Sequence, residues 1–328
     1  MPDGDATRQG RTLRSARALR AAGLIAPAAE AEAARVAERY AISVTPHVAR
    51  LIDPADPADP IARQYIPDAA ELDTAPHEID DPTADAPFTP VKGVVHRYPD
   101  RALLKPLLAC PVYCRFCFRR EVVGPDGGLL TEAELEAALA WFEATPAVKE
   151  AVLTGGDPLM LSPRRLGAIL TRLAAVPHVE TLRIHSRVPV ADPGRIDAAM
   201  TAALEVGKPV FLAVHANHAR EFTAEAQAAL TRLARAGVPL LGQTVLLRGV
   251  NDSAPALEAL FRAMLRARVK PYYLHALDPA PGTARFAVPD GDGLALLRAL
   301  RGRIPGHAIP AFVRERPNGG GKQPVGAS

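Results

Sequence analysis

An α/β fold, most simply a partial barrel of six strand–helix units, follows from three features of the sequence. Short apolar runs rich in β-branched residues recur along the chain, Ala/Leu-rich helical segments lie between them, and polar residues gather just beyond each run. The runs are ALLKPLLA (102–109), VKEAVLTGG (148–156), VETLRIHSRVP (179–189), PVFLAVHAN (209–217), VPLLGQTVLL (238–247) and KPYYLHAL (270–277). Segments such as TEAELEAALAWFEAT and TAEAQAALTRLARAG carry apolar residues at helical spacing. From residue 180 the runs return every ~30 residues, the size of one βα unit. Strands alternating with helices build a parallel sheet covered by helices. Six units fall short of the eight of a closed barrel, and a doubly wound open sheet is the second arrangement. Either one places chemistry at the C-terminal ends of the strands. TGGDP, HSRVP, HANH, GQT and HALD collect there, a pattern that an adaptor or scaffold has no need of.

Three regions follow. Residues 1–95 contain a helix around AEAEAARVAERYA and then a Pro- and Asp-rich stretch, expected to run as an ordered wrap or a series of turns. Residues 96–305 form the barrel core, and 306–328 a short C-terminal segment. The hydrophobic content is 48% and the charged content 23%, as in an ordinary globular protein, and the net charge is only +3. That charge and the spread of arginines argue against a nucleic-acid partner, and RTLRSARALR reads as a solvated helix face. No apolar run approaches the ~20 residues of a membrane span. The basic N-terminus lacks the apolar core of a signal peptide, so the expectation is a cytoplasmic protein without a membrane partner.

All three cysteines fall within CPVYCRFCFRR, at positions 110, 114 and 117, just after the first run. In a reducing compartment such a cluster points to metal rather than to a disulfide. A structural zinc takes four ligands, and only His96 lies near enough in sequence to complete one. Three cysteines suit a 4Fe–4S cluster with one iron left open to a small molecule.

C-x3-C-x2-C after the first strand resembles the signature of the radical S-adenosylmethionine (SAM) enzymes, and TGGDP resembles that family's Gly-Gly motif. A narrower resemblance covers the chain from about residue 35 to the end. HRYPDRALL, CPVYCRFCFRR, LTGGDPL, SRVPV, HANH, QTVLLRGVND, PYYLHALD and GGGKQPV are similar, in order, to motifs of the lysine 2,3-aminomutase family. The resemblance implies a partial (β/α)6 barrel of the radical SAM type, and three cofactors: the 4Fe–4S cluster on Cys110, Cys114 and Cys117, SAM, and pyridoxal 5′-phosphate (PLP). It implies that Lys322 forms the Schiff base with PLP and that Arg97 and Arg101 bind its phosphate. The glycines before Lys322 give such a lysine freedom to swing. Arg97 and Arg101 share a side if their segment is helical, and a surface ion pair with Asp100 is the alternative.

The resemblance further implies that Arg119 grips the substrate carboxylate and that Asp278 and Glu315 hold the distal ammonium of lysine. Glu315 stands where lysine 2,3-aminomutase carries Asp. The aminomutase that prepares lysine for elongation factor P resembles this chain in YYLHxLD and in that Glu, but lacks the GGGK run. Gly155, Gly156, Asp157, Ser186, Arg187, His215 and Gln243 match positions on the SAM side, although strand-end polar groups also cap helices. His218 and His275 have no assigned role. The implied reaction is a radical 1,2-amino shift converting L-lysine to β-lysine, with an external electron donor as a further partner. A related aminomutase acting on glutamate or arginine, and a noncatalytic iron–sulfur protein, are the other readings. Lysine 2,3-aminomutase carries a cysteine-bearing tail that binds zinc between subunits, whereas this sequence holds no cysteine after Cys117. That interface is therefore not carried over, and a homo-oligomer stays open.

Overall fold

The structure, a computed structural model, describes residues 10–316 and 321–326. The first nine residues of the basic N-terminus, and Gly319 and Gly320 of the glycine run, lie outside the described residues. The centre is one nine-stranded sheet in sequence order: β1 (Val94–Tyr98), β2 (Arg101–Leu107), β3 (Glu150–Gly155), β4 (Thr181–Ser186), β5 (Val210–His215), β6 (Leu240–Val245), β7 (Lys270–His275), β8 (Ala311–Arg316) and β9 (Gly321–Pro324). Strands β2 to β8 pair in parallel, and β1 and β9 pair antiparallel at the two edges. The α/β barrel fold read from the sequence is therefore present, and the sheet is larger than six strands.

The sheet curls until its edges nearly meet. The amide of Lys322 on β9 donates to Tyr98 Oη on β1 at 2.5 Å, and Arg97 and Glu315 form an ion pair at 2.9 Å across the same gap. Gly321 makes the approach possible: its φ is +60°, and a Cβ there would lie 2.6 Å from the Tyr98 ring.

The HRYPDR segment is a hairpin, not a helix. Tyr98 is registered with Arg101 across a two-residue Pro99–Asp100 turn, so Arg97 and Arg101 sit on neighbouring strands. Pro99 cannot donate a ladder hydrogen bond and ends β1 there.

The helices turn apolar residues inward, and most begin at a side-chain cap. In the N-terminal region are α1 (Ala16–Ala21) and α2 (Glu30–Ala37); over the barrel lie α3 (Glu132–Glu143), α4 (Pro163–Ala175), α5 (Ala224–Arg235), α6 (Ala254–Arg266) and α7 (Asp290–Leu300). Thr131 starts α3 in a capping box with Glu134; Ser162, Thr223 and Ser253 cap α4, α5 and α6. Helix α4 buries Leu166, Ile169, Leu170 and Leu173, at i, i+3, i+4 and i+7, against the outward faces of the strands. Cutting one of these leucines to Ala costs about 2–5 kcal/mol.

A second, smaller core belongs to the N-terminal region. Leu19, Ile42, Val44, Val48, Ile61 and Tyr65 pack around Val112 and Cys114 of the cysteine loop. The wrap is thus bonded to that loop: Tyr113 N–H donates to Ser43 O and Arg115 N–H to Gln64 O, both at 2.9 Å. Among the described residues no helix is long and apolar enough to cross a membrane.

Candidate active site

Strand alternation turns one residue in two toward the barrel axis. Leu103 of β2, Val152 and Thr154 of β3, Arg183 and His185 of β4, Phe211 and His215 of β5, Leu241 and Gln243 of β6, and Tyr273 and His275 of β7 face one cavity of about 700 Å³. Arg97 and Arg101, the three cysteines, Arg119, Gly155, Gly156, Asp157, Ser186, Arg187, Asp278, Glu315 and Lys322 line the same space. All sixteen site residues expected from the sequence thus border one cavity. His96 does not: it faces the other side of β1, its ring edge-on to Trp141 at 5.0 Å, so it is no fourth ligand for the cysteines.

The cysteine loop leaves the C-terminal end of β2. Burial raises all three thiol pKa values, that of Cys114 to about 12, and the neighbouring thiols push Cys110 and Cys114 further in the same direction. Such a trio stays protonated unless a strong positive charge sits among it, and coordinated iron supplies that charge. Among the described residues no group of three or more His, Cys, Asp or Glu side chains is placed to hold a metal ion. Three thiols opening on a cavity fit a larger, multi-iron group, which spreads its ligands apart.

Gly155 and Gly156 bring the end of β3 against this loop. Gly156 N–H donates to Leu107 O at 2.9 Å and Asp157 N–H to Ala109 O at 2.8 Å, and a Cβ on Gly156 would lie 2.3 Å from Ala109 O. The Asp157 carboxylate accepts from Ser186 Oγ at 2.8 Å and from the amides of Leu159, Arg187 and Val188. Arg187 donates to Tyr65 Oη at 2.8 Å and Glu221 at 3.0 Å. The side chains of Asp157, Ser186 and Arg187 therefore hold the strand ends in place. His215 and Gln243 differ: they are register partners on β5 and β6, and the Nε2 atoms of both are buried without a protein partner.

At the barrel seam, Lys322 Nζ lies 2.9 Å from Glu315 Oε2, while Arg97 holds the other oxygen. Asp278 stands nearby. Burial and the charge of Glu315 raise its pKa to about 7, against the opposing pull of Lys322, Arg314 and Arg119. Arg101 is ion-paired with Asp100 at 3.0 Å and stacks over the Tyr98 ring at 3.9 Å. Arg119 is not free either: its Nη2 lies 3.0 Å from Asp85 Oδ2, a carboxylate of the wrap.

Sequence reasoning missed Arg183, His185, Tyr272 and Tyr273 among the lining groups and gave His275 no role, while His215 was expected there. His185 and His215 have ring centroids 5.6 Å apart, and burial drives their pKa values and that of His275 down, His215 to about 3, so all three are neutral imidazoles. Deeper in the barrel, Arg183 pairs with Glu150 at 2.8 Å and Tyr272 donates to Tyr273 Oη at 2.9 Å. The signal was present: polar residues two apart inside a buried strand, as in Arg183 and His185, mark a polar interior.

A nearly closed parallel barrel with three cysteines at one strand end defines the class. The description of the radical SAM superfamily matches residues 104–260, and the chain is a radical SAM enzyme. It is 41% identical over 284 residues to the L-lysine 2,3-aminomutase of Clostridium subterminale, covering 87% of this chain and 68% of that one. It is 38% identical over 301 residues to the L-lysine 2,3-aminomutase of Acetoanaerobium sticklandii, covering 92% and 73%. It is 34% identical over 290 residues to the glutamate 2,3-aminomutase of Clostridioides difficile, covering 88% and 68%. The chain belongs to the lysine 2,3-aminomutase family: an isomerase that moves an amino group by radical chemistry, with the 4Fe–4S cluster, SAM and PLP as the family's cofactors.

Proposed function

We propose that this aminomutase acts on L-lysine and yields β-lysine, in the cytoplasm, drawing its electron from an external donor. The observation that carries the reading is the acidic pair beside the seam. Asp278 and Glu315 border one buried space, and Asp278 is pushed toward neutrality in the absence of a cation of its own. A distal ammonium gives Asp278 a partner for its ionised form, whereas the second carboxylate of glutamate would be repelled by it.

The cysteine trio is the seat for the cluster, and Lys322 is the amine that holds PLP. With both cofactors and SAM bound, the site supplies a radical that takes a substrate hydrogen and a π-system over which nitrogen can migrate. The chain's own residues do the rest. Arg119 orients the α-carboxylate, and Asp278 with Glu315 fixes the far end, so the carbon between them is held at one place along the cavity. Arg97, whose Nε has no partner, and Arg101 are the cations for the phosphate. The unpartnered Nε2 of Gln243 is a donor for SAM, and that of His215 a donor or an acceptor according to its tautomer. The wrap borders the cavity through Thr83.

The test is anaerobic incubation with SAM, PLP, reductant and an equimolar panel of amino acids, read by mass spectrometry. Lysine should be isomerised first. Equal turnover of glutamate or arginine would refute the pocket assignment.

A further inference from the structure

We infer that Asp85 is a positioning residue for substrate binding: anchored in a strained turn of the wrap, it holds Arg119 so that the open end of the guanidinium meets the α-carboxylate. The inference rests on the reading of Arg119 just given. Asp85 Oδ2 lies 3.0 Å from Arg119 Nη2, 3.4 Å from Arg119 Nε and 3.4 Å from Lys105 Nζ. Both Asp85 and Arg119 have side chains only 13% exposed. The Nε–Nη2 edge of Arg119 is thus committed to Asp85, and among the described residues Nη1 has no hydrogen-bond partner. An arginine held by one edge presents the other in a fixed direction.

The turn holds the carboxylate independently of Arg119. Ala84 has φ +51°, a left-handed conformation that a non-glycine residue adopts only when its surroundings impose it. Those surroundings are Asp81, whose carboxylate accepts from the amides of Asp85 and Ala86, both at 3.0 Å, and Asp85 itself, whose carbonyl accepts from Thr89 Oγ1 at 2.8 Å. Thr83 Oγ1 donates to Asp85 Oδ1 at 3.2 Å, and Thr83 borders the cavity. Asp85 is therefore the fixed member and the long Arg119 side chain the mobile one. Arg119 and Lys105 both lie against the Asp85 carboxylate, so the turn presents Arg119 beside a fixed anion. Burial raises the Asp85 pKa, yet Arg119 and Lys105 hold it down at about 2, so Asp85 is ionised throughout the working range.

The experiment uses the reconstituted holoenzyme and compares wild type with Asp85→Ala, Asp85→Asn and Asp85→Glu. Loss of a charged hydrogen bond should raise KM for lysine about ten- to a hundredfold, with kcat little changed. Lysinamide, which lacks the carboxylate, should inhibit wild type and Asp85→Ala equally, and Asp85→Glu should recover part of the loss. In an Arg119→Lys background, adding Asp85→Ala should raise KM little further, because the two act as one unit. Iron content and melting temperature show which variants are folded, and the isosteric Asn variant carries the test if Ala is not. An unchanged KM would show that Asp85 only ties down the wrap, and a lowered KM that it competes with substrate; either overturns the inference. If Arg119→Lys itself leaves the lysine KM unaltered, the carboxylate site is misassigned. If Arg119 matters and Asp85 does not, this inference alone fails.

Discussion

Asp278 shows at the residue scale how chemistry and pH meet in this site. Its carboxyl has a pKa of about 7 in the folded chain, against an ordinary 3.8, so the folded state binds its proton more tightly than the unfolded one. The sign follows: between pH 4 and pH 7 this group makes the protein less stable as pH rises, and the loss is complete above the folded value. Lysine binding runs the other way, because a distal ammonium needs the ionised carboxylate. The kcat/KM for lysine should rise as pH climbs through about 7, and Asp278→Asn should lower turnover strongly and flatten that rise while leaving iron content intact. A pH profile of the two proteins checks both statements. Lys322→Ala should abolish the borohydride-trapped adduct with PLP, and an adduct persisting on another lysine would refute that assignment. At this scale the residue types were legible in the sequence and their pairings were not. Nothing in the sequence of Glu315 says that its oxygens are shared between Arg97 and Lys322, since 218 residues separate Arg97 from Glu315 along the chain.

The cysteine loop behaves as an element only together with the wrap. Glu71, fully buried, accepts from Arg115 Nε and Nη2 and from Arg120, the residues that flank Cys117, and Arg285 approaches it at 3.4 Å. Removing the acid from such a cluster leaves buried cations unpaired, at about 3–5 kcal/mol. Glu71→Gln should therefore lower the melting temperature and the iron retained per chain, as read by calorimetry and iron analysis. Gly156→Ala should do the same through the clash with Ala109 O, since backbone cannot give way there. Parallel strands β2 to β7 were legible because their apolar runs are buried and bounded by turns. Strands β1, β8 and β9 were not. Val94 and Val95 are followed at once by His96 and Arg97; Arg314, Glu315 and Arg316 break the apolar run of β8; and β9 begins in a glycine run. Edge pairing and the seam stabilise these strands, and neither leaves a local pattern.

On the scale of the whole molecule, one nearly closed barrel, sealed at Tyr98 and Lys322 and bonded to the N-terminal wrap, encloses the cysteines, the lysine and the acidic pair in one space. The Pro- and Asp-rich stretch reads as an ordered wrap or a series of turns, and its carboxylates prove specific: Asp59 meets Arg220, Glu71 the loop arginines and Asp85 Arg119. Such a cover suits radical chemistry, which oxygen and stray hydrogen donors would quench. The most direct measurement follows the nitrogen itself. Reconstituted protein is incubated anaerobically with SAM, PLP, reductant and lysine labelled with 15N on its α-amino group, and the product is read by NMR. A radical amino shift on lysine requires the label to appear on C3 of β-lysine, undiluted by ammonium in the buffer and only when SAM is present. Label that stays on C2, exchanges with solvent ammonium, or moves without SAM would contradict the assignment.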